Sequence, residues 1–332
     1  MLLPYHFVQP RADVDFAPFL ARFRAATPAG GRLCFDLEDS LQGATPAATA
    51  AAKFAGRRAL AALLGGPHAP DPAQVVIRVN PVGTAAYLAD VCWLATVPAP
   101  RAVLLPKVAD VASVRRALAD LPPGVAELIV TVESAAGLRA VPALAAFSAD
   151  ARFTTVALGH CDLNLSLGHF PFQHHTSPTY WQWVAYLDRH LAPAGKRLLN
   201  SPVLRLADDS LLVAVLRRFR TYRSAVGQLT LSLAQSRWCG TPTAVDFKPD
   251  FSDDFGSDCA ADSDFTSGQS DPVFIARRLL AAAAAHPVPG SALALTPARR
   301  IIAPQEVIAA RRVLAGCSPA IPISSLETTP SD

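Results

Sequence analysis

Glu133 and Asp162 each follow an apolar run: Leu128-Ile129-Val130-Thr131-Val132 precedes the first, and Thr155-Val156-Ala157-Leu158-Gly159 lies just before the second. If the two runs are adjacent parallel strands, about 4.8 Å apart, the carboxylates at their C-terminal tips can share one cation. Oxygen donors with no Cys or His suit a hard divalent ion, Mg2+ or Mn2+, with water and substrate in the remaining positions. Either residue alone is more simply a helix cap or turn former; the pair favours the metal. Arg78 ends Val75-Val76-Ile77 and precedes the tight loop Asn80-Pro81-Val82-Gly83-Thr84. A guanidinium there can grip a carboxylate in bidentate fashion or stabilise charge developing on a carbonyl oxygen. Asp36, Glu38 and Asp39 crowd the turn after Leu33-Cys34-Phe35. They are either a solvated loop or partners of Arg78, and a salt bridge to them would also orient the arginine. Arg78, Asp36, Glu38 and Asp39 are therefore the candidate catalytic group, and Glu133 with Asp162 the candidate metal pair.

Further cations surround these acids. Lys53 and Arg57 are spaced i, i+4 and share one helical face, where they can hold a phosphate such as the nucleotide end of coenzyme A; a plain solvated face competes with that. Lys107, after Leu104-Leu105-Pro106, is a possible Schiff-base lysine, but a structural or phosphate-binding role is the simpler one. His160, Cys161, Asp162, His169, His174 and His175 crowd one stretch, yet their spacings match no closed zinc pattern.

These residues need elements to position them. Short apolar runs suited to strands fall near 5–9, 33–37, 75–79, 102–106, 128–133, 154–159, 199–204 and 227–232. Stretches of helical period follow most of them, at 13–25, 46–64, 109–120, 136–147, 178–192 and 208–223. Strands alternating with helices imply parallel pairing through right-handed crossovers. Eight such units predict an α/β chain forming a closed (β/α)8 TIM barrel, whose active site lies at the C-terminal strand ends. A doubly wound sheet would need a Gly-rich phosphate loop after its first strand, and Val8-Gln9-Pro10-Arg11 is not one. The expected organisation is a barrel over 1–236, an Asp/Ser-rich insertion over 237–271, and a C-terminal helical extension and tail over 272–332. Helices are expected there at 272–285 and 304–315.

Composition narrows the partners. The chain is 51% hydrophobic and 17% charged, enough for a large core, and 30 basic against 27 acidic residues leave no nucleic-acid footprint. Six scattered cysteines form no C-x-x-C pair, so reduced thiols are expected. Neither a signal peptide nor a long apolar span is visible, and the expectation is a soluble, cytoplasmic protein without membrane contact.

The order of the motifs resembles the HpcH/HpaI aldolase and citrate lyase β-subunit family over about residues 5–235. Asp36-Leu37-Glu38-Asp39, Arg78-Val79-Asn80-Pro81, Leu105-Pro106-Lys107-Val108, Glu133-Ser134-Ala135-Ala136-Gly137 and Asp162-Leu163 are similar to the family's motifs in their order. The resemblance implies a TIM barrel, Mg2+ on Glu133 and Asp162, and Arg78 at the substrate carbonyl. It further implies a carbon–carbon lyase acting through a carboxylate-flanked enolate, often on a CoA thioester, in a homo-oligomer (trimer or hexamer). The chain departs from the pattern at Cys161, where an acid is usual. It also lacks the family's final-strand His: neither Ser232-Leu233-Ala234-Gln235 nor Leu295-Thr296-Pro297 supplies one. Three functions stay open on these grounds: an acyl-CoA lyase, a CoA-independent aldolase of pyruvate-type 2-oxoacids, and a non-catalytic barrel serving as a binding or assembly protein.

Overall fold

The computed structural model describes residues 1–11, 13–241, 271–288 and 293–316. Most of the Asp/Ser-rich insertion expected over 237–271, and the tail from 317, lie outside them. Eight parallel strands close into a barrel in sequential order: β1 (Leu3–Val8), β2 (Arg32–Asp36), β3 (Val75–Arg78), β4 (Ala102–Leu105), β5 (Glu127–Val132), β6 (Phe153–Leu158), β7 (Arg197–Asn200) and β8 (Ala225–Thr230), with β8 pairing back onto β1. This is the (β/α)8 TIM barrel.

The strands show why the sequence closes this way. Most are short, largely apolar runs, and their residues alternate between two cores. Leu33, Phe35, Val75, Ile77, Val103, Val130 and Val132 face the helices. Cys34, Val76, Leu104, Ile129, Ala157 and Leu199 fill the barrel interior. Continuing the inward period of two along the chain brings Asp36, Arg78, Thr131 and Glu133 to the barrel mouth. Asp36 and Arg78 are also register partners across β2 and β3.

Ten helices are described between Ala17 and Gly240: α1 (Ala17–Ala26), α2 (Pro46–Leu64), α3 (Ala85–Leu94), α4 (Val111–Asp120), α5 (Ala135–Arg139), α6 (Val141–Ala146), α7 (His160–Leu167), α8 (Pro178–Leu191), α9 (Asp209–Phe219) and α10 (Leu233–Gly240). Seven of them start at side-chain caps, from Thr45, Thr84, Asp110, Ser134, Ser177, Asp208 and Ser232, and Pro46 and Pro178 stand just inside α2 and α8. Helices α3, α7 and α10 were not expected from periodicity. Helix α3 is apolar nearly all round, while α7 carries His, Asn and Ser in its short span. Helix α10 runs across the expected boundary at 236 and packs on β1 and α1.

After the insertion, the helices Pro272–Ala285 and Pro304–Leu314 pack on each other, with the antiparallel strands Ala294–Leu295 and Ile301–Ile302 beside them. Ile275, Leu279, Ile302 and Ala310 make their shared core. Two backbone hydrogen bonds tie this extension to the barrel: Ile301 N–H to Leu204 O (2.9 Å) and Leu206 N–H to Arg299 O (2.9 Å). Among the described residues no helix is long and apolar enough to cross a membrane, and the four cysteines Cys34, Cys92, Cys161 and Cys239 are free.

Candidate active site

Arg78 is the most constrained side chain at the mouth. Its Nε and Nη2 donate to the two oxygens of Asp36 (2.8 and 2.7 Å), Nη1 lies 3.1 Å from Glu38 Oε2, and Phe7 stacks 5.0 Å from its guanidinium carbon. The fork geometry of two parallel N–H···O bonds fixes both position and plane. Asp36 also accepts the backbone N–H groups of Glu38 (2.9 Å) and Ser40 (3.0 Å). Burial opposes its ionisation, but the charge and hydrogen bonds of Arg78 hold its carboxyl below the usual range.

Lys107 connects this group to Glu133. It is a non-glycine residue in left-handed backbone (φ +54), a conformation that costs about 1–2 kcal/mol. Its N–H donates to Glu133 Oε1 at 2.6 Å, and its Nζ lies 2.9 Å from Glu38 Oε1 and 3.7 Å from Asp39 Oδ1. Although desolvation opposes it, the neighbouring Glu38 and Asp39 charges hold this amine protonated above its ordinary range. That setting favours a cationic role for Lys107 over a Schiff-base nucleophile, which must be deprotonated.

Glu133 is 4% exposed. It sits against Gly159, where a Cβ would lie 2.4 Å from Glu133 Oε2 and 2.6 Å from its Cβ. The glycine after β6 is what makes room for the carboxylate. Asp162 differs from expectation in its setting. Strand β6 ends at Leu158, and Asp162 stands in the first turn of α7, preceded by Gly159, which offers no side-chain cap. Neither acid takes the capping role weighed for it: Ser134 caps α5, and Asp162 Oδ2 accepts Gln305 Nε2–H at 2.7 Å.

The electrostatics point to a missing positive charge. Burial pushes Glu133 well above its ordinary range, with Asp162 and Glu38 adding to the rise. Burial, then Asp39, raises Asp162 to about 6. Burial raises Glu38 to about 7 against the pull of Arg78. Asp36, Glu38, Asp39, Glu133 and Asp162 thus face Arg78, Lys107 and Lys53, an excess of two negative charges when all are ionised. One divalent cation balances it. Glu133 Oε2 and Asp162 Oδ1 stand outside the hydrogen bonds just described, and both are hard oxygen donors. Among the described residues no three His, Cys, Asp or Glu side chains gather closely enough to hold an ion. A shell of two carboxylates completed by water and substrate suits Mg2+, and the residues present fit it.

The mouth itself is a cavity of about 300 Å3 lined by Phe7, Arg78, Thr131, Glu133, Asp162 and Gln305, among others. Thr131 Oγ1 is buried in it with no hydrogen-bond partner among the described residues. Asp39 also lines an open cleft of about 570 Å3 with Thr45, Lys53, Asn80, Thr84 and Lys107. Lys53 donates to Asn80 Oδ1 within that cleft. Arg57 is one step removed, paired with the buried Asp90 at 2.8 Å, whose other oxygen accepts both N–H groups of Asn80.

Several site residues left no sequence signal. Gln305 approaches Asp39 (3.3 Å) as well as Asp162. Glu306 pairs with the buried Arg300 (2.6 Å) and lies 3.3 Å from His174, which meets His160 at 3.0 Å. His174, backed by His160, thus meets the C-terminal extension at the cavity wall, while His169 stacks on Trp183 and His175 meets Ser201 O within the barrel. Proximity across 130 residues of chain is not readable from spacing.

Residues 26–188 match the model of the HpcH/HpaI aldolase/citrate lyase family. No curated protein matches the chain. Among solved structures, CitE from Mycobacterium tuberculosis in complex with magnesium and pyruvate is 23% identical, covering 76% of this chain and 95% of that one, with a TM-score of 0.56. The same protein in complex with magnesium, acetoacetate and coenzyme A is 20% identical over 95% of this chain and 98% of that one, also at 0.56. RipC from Yersinia pestis is 21% identical over 74% and 97%, at 0.53. These likenesses establish the fold. The family match lies within the barrel, and over residues 26–188 the chain is similar to the HpcH/HpaI aldolase/citrate lyase family.

Proposed function

We propose that the chain is a divalent-cation-dependent carbon–carbon lyase working through a carboxylate-flanked enolate, with a CoA thioester as its substrate class. The observation that carries this is the uncompensated carboxylate cluster at the barrel mouth beside a rigidly held Arg78. Glu133 and Asp162 would hold Mg2+ or Mn2+. When bound, the ion supplies positive charge to the oxygen on which an enolate's negative charge develops. Arg78, fixed by Asp36 and Phe7, offers a second, permanent positive charge to a substrate carboxylate or carbonyl. Glu38, raised to about 7 by burial, is the carboxyl able to take or give a proton near neutral pH. Asp39 faces both the mouth and the cleft.

The CoA-independent alternative, a pyruvate-type 2-oxoacid aldolase, would use the same residues. The two-part cavity favours the thioester. A mouth of about 300 Å3 takes a short acid, and the cleft that shares Asp39 gives a longer, anionic portion room beside Lys53 and Lys107. The Mycobacterium tuberculosis protein was solved with magnesium, acetoacetate and coenzyme A together.

Two measurements test the proposal. Mn2+ titration should show binding that Glu133→Gln and Asp162→Asn abolish without unfolding the barrel, since each swap keeps size and removes charge. Wild-type affinity in both variants overturns the metal pair. Mg2+-dependent exchange of α-protons into deuterated water should occur with acyl-CoA thioesters, which should also raise the melting temperature. Exchange and stabilisation with pyruvate but no thioester selects the aldolase, and no exchange with either favours a non-catalytic barrel.

A further inference from the structure

The C-terminal extension reaches the carboxylate cluster at one residue. Gln305 is 9% exposed, and its Nε2 donates to Asp162 Oδ2 at 2.7 Å and approaches Asp39 Oδ2 at 3.3 Å. The backbone that carries it is fixed independently of those contacts. The next residue, Glu306, accepts from the buried Arg300 at 2.6 Å and from the Ala303 N–H at 2.9 Å, fixing the first turn of the Pro304–Leu314 helix. The strand before it is tied to the barrel through Leu204 and Leu206, and the helix packs on α7, which carries Asp162.

We propose that Gln305 is a positioning residue for the cation site, through which the C-terminal extension orients Asp162 in cis. The inference rests on the metal role of Glu133 and Asp162. A carboxylate that ligates with one oxygen rotates freely about its last torsion unless its other oxygen is held. Gln305 holds Oδ2, as Lys107 N–H holds Oε1 of Glu133, so each proposed ligand has one oxygen pinned and one outside the pin. Such outer partners of metal ligands contribute about 10- to 100-fold in affinity. Coupling is reciprocal: if docking of the extension favours the ion, the ion favours docking.

The probe is Mn2+ titrated calorimetrically into full-length wild type and Gln305→Leu, which keeps the bulk and removes the amide. The expected result is Mn2+ binding weakened about 10- to 100-fold, with the melting temperature of the metal-free protein close to wild type. In parallel, amide hydrogen exchange over 293–316 in the wild type should slow when Mn2+ is added, a readout that needs no variant. Unchanged or tighter Mn2+ binding in folded Gln305→Leu overturns the inference, the latter marking the amide as a competitor of the ion. Unchanged exchange over 293–316 in Mn2+-saturated wild type overturns it also. Wild type that binds no Mn2+ fails the metal reading itself, a result distinct from a variant that binds as well as wild type.

Discussion

Gly159→Ala tests whether the barrel mouth is built around Glu133. The added Cβ would lie 2.4 Å from Glu133 Oε2, 2.6 Å from Glu133 Cβ and 3.0 Å from Thr131 Cγ2. Swinging the carboxylate aside relieves only the first contact. The contact with Glu133 Cβ requires the β5 backbone to move against β6, within a barrel that has no slack. Backbone strain at residue 159 itself does not enter, because its φ of −105 suits alanine. The first bond to suffer is Lys107 N–H to Glu133 Oε1 (2.6 Å), a buried hydrogen bond to a charged group worth about 1.5–3 kcal/mol. For a chain of this size that corresponds to a fall in melting temperature of about 2–4 °C. Loss of the pinned ligand should weaken Mn2+ binding by at least about 10- to 100-fold. Thermal melts and Mn2+ calorimetry on wild type, Gly159→Ala, Glu133→Gly and the double variant give the decisive comparison, because only glycine at 133 removes the Cβ contact. If the clash is with Glu133, the alanine at 159 should cost much less once Glu133 is shortened, a coupling beyond simple additivity. Additive effects, or wild-type affinity in Gly159→Ala, would refute the packing argument.

Asp36→Asn should separate catalysis from cation binding. It weakens the bidentate hold on Arg78 and leaves Glu133 and Asp162 in place, so α-proton exchange should fall about 100-fold while Mn2+ affinity stays within a few-fold; a parallel loss of both would show that Asp36 shapes the whole mouth. Stability should also depend on pH in a specific direction. Burial raises Asp162 to about 6 and Glu38 to about 7, and also pushes Glu133 well above its ordinary range, so the native state binds more protons than the unfolded chain between about pH 4 and 7. The metal-free protein should therefore lose stability as pH rises through that window, and saturating Mg2+, which favours the ionised carboxylates, should remove much of the loss. Asp36, whose carboxyl is held low, contributes the opposite trend only below about pH 4. Melting curves in EDTA and in Mg2+ from about pH 5 to pH 8 check it, and a flat profile without metal would contradict the buried cluster.

The sequence carried the barrel because most strands are short apolar runs, and at β2, β3 and β5 a charged residue stands at or just beyond the C-terminal end. The same alternation that buries Val76 and Ile129 inside the barrel delivers Arg78 and Glu133 to its mouth two and four residues later. That is local information, so it survives in one dimension. Asp162 was placed near the right strand but in the wrong element, since Gly159, His160 and Cys161 already belong to the turn and helix that bring its carboxylate back toward Glu133. Helix α3 escaped notice because Ala85–Leu94 is apolar on nearly every face. What stayed illegible is long-range: Gln305 touches Asp162 from 143 positions away, and nothing in Pro304-Gln305-Glu306 distinguishes a site residue from an ordinary helix start. The burial of Arg300 against Glu306 gives that contact its meaning. A buried ion pair is seldom a gain in stability over apolar packing. Its effect here is to fix where the first turn of the last helix stops, and that sets the distance from Gln305 to the carboxylates.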